Sequence, residues 1–293
     1  MGIAKHPSRV SLPFTDKPYP AILEFLVQRF PSVGMALWEE RILAGKVIDD
    51  AGVPITLETP YVPQKRLFYY REVLKEPLIP LPEKILFQND ELLVACKPPF
   101  LPVTPSGPYV NECLLNRLRR KTGNNSLVPL HRIDRETSGL VLFSKKEKTR
   151  GLYGRLFLNG VIEKTYEALS EVSACTGEKD WIVENRIVDD DIWFRSKVVP
   201  GDVNARSRIK LVGYRGNKAH FLLNPLTGKK HQLRVHMSGL GFRIMHDRYY
   251  PELLDKQEDD LSKPLQLIAR RLKFTDPISG GIMEFESDRR LLL

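Results

Sequence analysis

The sequence predicts an α+β fold, with a large domain built on a mainly antiparallel central sheet flanked by helices and a small N-terminal α/β module. Short strand patterns outnumber helical patterns in the second part of the chain, and many neighbouring strands are joined by short turns. Pro77, Pro80 and Pro82 exclude a regular helix or a central strand there and mark a linker. A chain of 293 residues is long enough for one large and one small domain.

The proline-rich stretch sets the expected domain boundaries. We expect the small module at residues 1–74, the linker at 75–84 and the large domain at 85–293. Within the module, apolar residues at helical spacing predict a helix over residues 20–30. Residues 38–47 predict a second helix that ends at a glycine and passes into a strand.

The large domain begins with a predicted hairpin. Residues 85–87 and 92–96 are apolar strand patterns that flank the polar turn 88–90. The elements predicted after it are a helix at 111–120, a buried strand at 139–144, a helix at 146–158 closed by Asn-Gly, and strands at 162–168 and 219–223. This order of elements is typical of an α+β domain with short connections.

The charge balance favours a polyanionic partner without identifying it. The formal net charge is +9, and 28% of the residues are charged, so the excess of cations lies on a well-mixed surface. Such an excess attracts phosphate backbones through counterion release. Charge alone leaves nucleic-acid binding and simple solubility as equal alternatives.

Cysteine and histidine spacing give no sign of a disulfide framework or a metal site. Cys96, Cys113 and Cys175 are widely spaced and odd in number. His231 and His236 are five residues apart, which is the wrong helical spacing for shared metal ligation. No apolar run approaches the roughly 18 residues of a membrane helix. We expect a soluble cytoplasmic protein, with no leader segment, no membrane contact and no metal.

Asp134 is the first candidate for chemistry. It lies between Arg132 and Arg135, just before a turn and an apolar strand. In an extended segment Asp134 shares one face with Arg132 and Glu136, and an opposite charge close to a carboxylate keeps it ionised. An ionised carboxylate is suited to nucleophilic attack. Considered alone, this charge pattern fits a structural ion pair at a turn better than it fits catalysis.

A second basic stretch covers residues 224–241. Its apolar residues at 233, 237 and 240 predict a helix that begins near Lys229, Lys230 and His231. A helix N-terminus with cations beside it suits a phosphate or a carboxylate. The alternative is a basic first turn that simply faces solvent.

Four blocks in this order resemble the RluA-type RNA pseudouridine synthases. They are residues 90–99, which end in Lys-Pro-Pro, residues 131–139 (His-Arg-Ile-Asp, then Thr-Ser-Gly), residues 164–166 (Lys-Thr-Tyr) and residues 231–236 (His-Gln-Leu-Arg-Val-His). The resemblance spans roughly residues 85 to 280 and implies the pseudouridine synthase fold. It also implies isomerisation of a uridine within RNA, without cofactor or metal.

The resemblance assigns the catalytic residues. Asp134 would be the catalytic carboxylate, acting at C1′ of the ribose, at C6 of the base or on the 2′ proton, and these three routes stay open. Arg234 would pair with Asp134 and hold it charged and oriented. Tyr166 would stack on the displaced uracil and manage a proton at C5, whereas an arbitrary strand tyrosine would only fill a core.

The same resemblance predicts the RNA-binding residues. A stacked uridine must leave the helix to react, at a cost of a few kcal/mol, and Arg132 would fill the space it leaves. Phosphate contact and structural pairing are equal alternatives for Lys164. The remaining candidates for RNA contact are His131, Lys229, Lys230 and His231.

The sequence departs from the family pattern at two places. Lys229 and Lys230 stand where Gly-Arg and a small residue are usual, and residues 245–247 (Met-His-Asp) replace a Gly-Asp turn before Tyr249. His246 would alter the approach of RNA or fill a relaxed turn, and we favour the turn. Neither departure touches the three catalytic candidates.

The expected partner is RNA, either ribosomal or transfer RNA, bound by a monomer with no obligate protein partner. Residues 41–47 resemble part of an S4-type RNA-binding domain, so the N-terminal module would add phosphate contacts or serve as a packing appendage. The rival function is a catalytically silent RNA-binding or ribosome-assembly factor on the same fold. A metal-dependent hydrolase is a third alternative, but the sequence offers no ligand set for it.

Overall fold

The computed structural model describes residues 2–3, 7–31, 33–73, 75–171, 179–192, 194–255 and 258–292. The chain divides into two compact units. The first is Met1–Pro77 with Ser106–Asn111, and the second is Leu78–Pro105 with Glu112–Leu293. The assignment of the short segment Ser106–Asn111 to the first unit has no counterpart in the sequence pattern.

The first unit is a small α/β module. Its elements in chain order are β1 (Gly2–Ile3), β2 (Ser8–Ser11), α1 (Ile22–Arg29), α2 (Met35–Leu43), β3 (Val47–Asp49), β4 (Arg66–Tyr69) and β5 (Glu72–Val73). β2, β4 and β3 form one antiparallel sheet, and β1 pairs with β5. Both predicted helices are confirmed. Their apolar faces meet in a core that includes Leu26 and Trp38, both fully buried.

The second unit is built on one large sheet. Its first elements are β6 (Lys84–Gln88), β7 (Leu92–Lys97), α3 (Leu114–Thr122), β8 (Val128–Pro129), β9 (Ser138–Ser144), α4 (Glu147–Leu158) and β10 (Glu163–Glu171). The later elements are β11 (Asp180–Asp189), β12 (Ser196–Val199), β13 (Ala205–Arg215), β14 (Lys218–Pro225), α5 (Gln232–Gly239), β15 (Leu267–Thr275) and β16 (Ile282–Glu286).

The sheet of the second unit has the order β12-β11-β13-β14-β10-β15-β9-β7-β6, with β16 on β15 and β8 on β9. Its neighbouring strands pair antiparallel except β9 and β15, which pair parallel. The predicted α+β class with a mainly antiparallel sheet is therefore confirmed. The predicted hairpin is also present, as β6 and β7.

The parallel junction between β9 and β15 requires a glycine. Gly139 pairs with Ala269 and has φ +109°, in the region that favours glycine. A Cβ added to Gly139 would lie 2.3 Å from the Ala269 carbonyl oxygen and 2.7 Å from its nitrogen. Because both are backbone atoms in paired strands, neither can move without disturbing the centre of the sheet.

Helix boundaries follow local chemistry. α4 ends where the Asn-Gly signal predicts, with Gly160 at φ +67°. The Gly160 N–H donates to Phe157 O and the Val161 N–H to Leu156 O, which is the Schellman pattern.

α3 begins at Leu114, so its predicted start at residue 111 is wrong. The Asn111 N–H donates to a Glu76 carboxylate oxygen at 2.6 Å, outside any helix.

α5 is the predicted helix of the basic stretch, and most of it is buried. Its N-cap, His231, adopts a left-handed conformation with φ +56°. Arg234 and His236 are almost fully buried on this helix. Burial lowers the pKa of His236 to about 4, and its Nε2 lies 3.1 Å from Asn185 Oδ1.

Gly139→Ala is expected to lower the free energy of unfolding by at least about 2 kcal/mol, because the new methyl group collides with the Ala269 backbone. Gly154→Ala is the matched control, since an added Cβ there meets nothing within 4 Å in the middle of α4. The control should be neutral or slightly stabilising. Urea unfolding measures both. Equal midpoints for Gly139→Ala and wild type would contradict this account of the junction.

His236 should make the protein less stable in mild acid. Its pKa is about 4 in the folded chain against an ordinary 6.5, so between these values the unfolded chain binds a proton that the folded chain does not. The contribution of neutral His236 to the free energy of unfolding is complete above pH 6.5 and is lost as the pH falls towards 4. We expect His236→Gln to reduce the slope of unfolding free energy against pH by up to about 1.4 kcal/mol per pH unit. Urea titrations across this range would show an unchanged slope if His236 were not involved.

Candidate active site

A cleft of about 630 Å³ lies in the second unit, and segments that are distant in sequence meet around it. All but one of the predicted site residues line this cleft, and the exception is Lys230. Those that line it are His131, Arg132, Asp134, Lys164, Tyr166, Lys229, His231 and Arg234. Three of the four sequence blocks identified above, residues 131–139, 164–166 and 231–236, therefore meet at one cleft, and residues 90–99 do not line it.

Asp134 lies in the irregular segment between β8 and β9, and its side chain is 23% exposed. Arg234 Nη1 is 3.7 Å from Asp134 Oδ2, and His231 Nε2 is 3.9 Å from Asp134 Oδ1. These separations are longer than hydrogen bonds. The carboxylate thus lies beside a guanidinium and an imidazole without a direct hydrogen bond to either.

The arginines next to Asp134 in sequence have other positions. Arg135 binds the Asp259 carboxylate, with Nη1 and Nη2 at 2.5 and 3.0 Å from its oxygens, and Nη2 also donates to Glu136 at 2.9 Å. Arg132 is exposed at the cleft. The cation beside Asp134 is therefore the distant Arg234, as the family resemblance implied, and not the flanking pair that local charge suggested.

Arg234 is fixed by a second carboxylate. Its Nε and Nη2 donate to the two oxygens of buried Asp247 at 2.8 and 2.6 Å. Its guanidinium carbon lies 4.7 Å from the ring centroid of Tyr249 and 5.5 Å from that of Tyr250. Burial by itself lowers the pKa of Arg234, but the carboxylates of Asp247 and its neighbours outweigh burial and raise it. Arg234 is a permanent, oriented cation.

The remaining nitrogen of Arg234 faces two carboxylates. Nη1 is buried without a hydrogen-bond partner among the described residues. It lies 3.7 Å from Asp134 Oδ2 and 3.6 Å from Glu136 Oε2. Burial raises the pKa of Glu136, yet the net shift is downward because Arg234 and Arg135 stabilise the carboxylate. Glu136 is therefore a second anion of the site.

His231 combines an unusual backbone with a buried ring. Its left-handed conformation turns the imidazole between Asp134 and the aromatic residues that follow Asp247. Nδ1 lies 3.0 Å from the Tyr250 hydroxyl, which also accepts a hydrogen bond from the Ser196 N–H at 2.7 Å. Burial lowers the pKa of His231 more than Asp134 raises it. The ring is neutral at physiological pH.

Tyr166 and Lys164 project from β10 into the cleft. Burial, and then the charge of Asp134, raise the pKa of Tyr166, so its phenol keeps its proton at neutral pH. Burial lowers the pKa of Lys164, whose Nζ donates weakly to Thr227 O at 3.4 Å. β15 carries a bulge opposite Thr165 and Tyr166, a feature that often re-aims side chains near active sites.

His131 supports the strand that follows the site. Its Nε2 accepts a hydrogen bond from the Leu142 N–H at 3.0 Å, and its ring stacks on Phe157 with centroids 4.6 Å apart. Burial and the nearby Lys164 charge lower the pKa of His131 to about 3. His131 lines the cleft as a neutral ring, so any contact that it makes with RNA is not that of a cation.

The two adjacent lysines before α5 point to different places. Lys229 is exposed and lines the cleft, and its N–H donates to Gln232 Oε1 at 3.0 Å. Lys230 forms an ion pair with Asp189 at the end of β11. Of this predicted pair, the structure brings only Lys229 to the cleft.

Asp247 was missed as a site residue, although the sequence contained a signal for it. It follows His246, where the family pattern has glycine before Asp, and His246 adopts the glycine-like φ of +63°. The His246 Nδ1 lies 2.9 Å from Pro264 O, and His246 is not among the cleft residues. This arrangement agrees with a turn-filling role for His246 and explains why Asp247 keeps its position.

Lys97 was also missed. It is fully buried, and its Nζ donates to the carbonyl oxygens of Pro98, Leu101 and Arg135 at 2.9, 2.6 and 2.9 Å. Burial lowers its pKa strongly. Because Arg135 follows Asp134 directly, this lysine ties the segment that carries Asp134 to the end of β7. The Lys-Pro turn in the sequence indicated this position but not its link to Asp134.

The described residues contain no group of three or more His, Cys, Asp or Glu side chains placed to hold a metal ion. Cys96 and Cys113 are buried, and Cys175 lies outside the described residues. None of the helices in the described ranges has the length and apolar character that crossing a membrane requires.

Comparison with known proteins identifies the family. The family model described as RNA pseudouridylate synthase matches residues 91–239. The dual-specificity RNA pseudouridine synthase RluA of Haemophilus influenzae is 30% identical over 212 residues, or 69% of this chain and 91% of that protein. An uncharacterized RNA pseudouridine synthase of Synechocystis is 27% identical over 78% of this chain and 79% of its own length. The solved structure of human RNA pseudouridylate synthase domain containing 1 has a TM-score of 0.57 at 21% identity, covers 73% of this chain and 86% of its own, and shares the fold. The chain therefore belongs to the RluA-type RNA pseudouridine synthases, a family of isomerases that act on RNA.

Proposed function

We propose that this protein converts a specific uridine of structured ribosomal or transfer RNA to pseudouridine, with Asp134 as the nucleophile. The observation that carries the proposal is the placement of the Asp134 carboxylate at the cleft, 3.7 Å from the buried guanidinium of Arg234. Asp247 holds that guanidinium in place through two hydrogen bonds. The charge that orients the nucleophile is thus present before substrate binds.

The reaction is an isomerisation, so the product contains the same atoms as the substrate and the protein contributes none of its own. The bond between C1′ and N1 breaks, the base turns, and C5 bonds to C1′. C5 loses its proton and N1 gains one, which balances the change. Asp134 gives an electron pair to C1′ as the base departs with the electrons of the C1′–N1 bond, and the bond between Asp134 and C1′ breaks when C5 bonds to C1′.

Tyr166 is proposed to stack on the displaced uracil. Its position in the cleft beside Asp134 supports this role. Its raised pKa favours stacking over the removal of the C5 proton, because a phenol that keeps its proton at neutral pH is a poor base. Aromatic rings bind bases by stacking without selecting among them.

Base flipping is the step that brings the uridine to Asp134. The cleft carries Arg132, Lys164 and Lys229, which suit the phosphates around an extruded nucleotide. Arg132 is exposed and is proposed to occupy the space that the uridine leaves. Residues 1–74 are proposed to add RNA contacts in a protein that acts as a cytoplasmic monomer.

Asp134→Asn should abolish turnover and leave RNA binding intact, since the amide keeps the shape and removes the charge. We expect a loss of at least about 1,000-fold in the single-turnover rate. The assay is tritium release from ribosomal and transfer RNA transcripts labelled at C5 of uridine. Asp189→Asn, at a carboxylate that does not line the cleft, is the control. Product formation by Asp134→Asn would contradict the nucleophile assignment. Wild-type protein that binds these RNAs without turnover would favour the catalytically silent binding factor.

Arg234→Lys tests whether geometry as well as charge is needed. A lysine keeps the charge but cannot bind both oxygens of Asp247 and face Asp134 at once. We expect the single-turnover rate to fall at least about 100-fold, with little change in the Kd for RNA. Arg208→Lys is the control, at a surface pair with Asp180. Urea unfolding shows whether the variant folds, and a folded Arg234→Lys with the wild-type rate would refute this role.

A further inference from the structure

Two exposed leucines lie at the mouth of the cleft. Leu158 is 84% exposed and Leu226 is 62% exposed, and both line the cavity that contains Asp134. Single exposed apolar residues are ordinary on protein surfaces. Two large ones beside a charged cavity form an apolar surface that a molecule bound in the cleft can cover.

Leu158 is held by a rigid turn. It is the last residue of α4, and the Schellman hydrogen bonds from Gly160 and Val161 close the helix immediately after it. Ile162, four residues after Leu158, is buried. The exposure of Leu158 is therefore built into the backbone and is not the result of a frayed helix end.

Leu226 is also held by a rigid turn, the one that leads from β14 towards α5. Its N–H donates to Arg206 O at 2.9 Å. The next residue, Thr227, bonds through Oγ1 to the Arg206 N–H and to Gln232 Oε1, at 2.9 and 2.7 Å. A Cβ at Gly160 would lie 3.8 Å from Leu226 O, so the two turns are neighbours. The two leucines are therefore carried by neighbouring turns that are each fixed by hydrogen bonds.

The charges of the cleft indicate what covers this pair. Lys164 and Tyr166 line the cavity along with the leucines, and Arg132 and Lys229 are exposed cations of the same lining. An RNA strand drawn to these cations brings bases as well as phosphates. When one base is extruded, the faces of its neighbours lose their stacking partner, and apolar side chains are known to take that place.

We propose that Leu158 and Leu226 form a subsite for a nucleobase adjacent to the target uridine in the RNA strand, an inference that rests on the proposed function. Extrusion uncovers two base faces, one on each neighbouring base. The leucines cover one of them, and Arg132 fills the space next to the other. The subsite requires a neighbour that is free to leave a regular helix. It therefore favours uridines in loops or bulges over uridines in continuous duplex.

The test is a double-mutant cycle between the leucines and the neighbouring base. Leu158→Ala/Leu226→Ala is compared with the control Ile182→Ala/Ile282→Ala, which removes two isoleucines that are 74% and 73% exposed and do not line the cleft. The probe is a short fluorescein-labelled single-stranded RNA with one central uridine. Matched probes carry an abasic ribose on the 5′ or the 3′ side of that uridine. Fluorescence anisotropy gives each Kd.

The leucine variant should bind the intact probe about fivefold more weakly, while the isoleucine control should bind it as wild type does. An abasic site on the contacted side should weaken wild-type binding and have little further effect on the leucine variant, because both changes remove the same contact. The dependence of Kd on salt should be unchanged in the leucine variant, since no phosphate contact is lost. Additive effects on both sides of the uridine would overturn the subsite.

Four further outcomes separate this inference from its alternatives. If wild type self-associates and the leucine variant does not, as judged by sedimentation at several concentrations, the pair is a contact between copies of the chain and the subsite is wrong. If the cycle is non-additive but no labelled RNA is turned over, the subsite stands and the proposed catalytic function fails. If turnover occurs and the leucine variant matches its control in Kd and rate, the function stands and the subsite fails. Failure of wild type to bind the probe overturns the subsite.

Discussion

The bidentate ion pair between Arg234 and Asp247 is the interaction on which the rest of the site depends. Both side chains are buried, and a buried guanidinium without its partner would be strongly destabilising. The pair uses Nε and Nη2, which leaves Nη1 to face Asp134 and Glu136. Asp247 thus sets the orientation of Arg234 and need not touch the substrate. The Nη1 group of Arg234 faces the carboxylate proposed to react.

A second constraint places the carboxylate. Asp134 precedes β9, whose parallel contact with β15 passes through Gly139 with no room for a side chain. Closer to Asp134, Lys97 holds the carbonyl of Arg135, the next residue in the chain. The backbone that follows Asp134 is therefore restrained at two points, the carbonyl of Arg135 and Gly139. Restraints of this kind hold a functional group in place even though it lies on an irregular segment.

Much of the fold follows from sequence because its signals are local. The hairpin β6-β7 and the end of α4 at Asn-Gly are set by neighbouring residues. The candidate site was predicted less completely than the fold. The segments that meet at the cleft were identified by family resemblance, whereas the charges next to Asp134 suggested the wrong partners, since Arg135 binds Asp259. Asp247 and Lys97 act through contacts that only the folded chain reveals, because nothing in a sequence states which buried cation a carboxylate will meet.

The spacing of the Arg234 and Asp247 pair also bears on how the site assembles. The two residues are 13 positions apart, while Asp134 must reach Arg234 across about a hundred residues of intervening sheet. Closing a short loop costs less chain entropy than closing a long one. The cationic half of the site is thus a local structure that α5 and the turn after it can form together, and the Asp134 carboxylate can join it only when the long-range strand pairs close. A chain in which the sheet is incomplete would hold the cation without the carboxylate that it orients, so the chemistry is coupled to the last stages of folding.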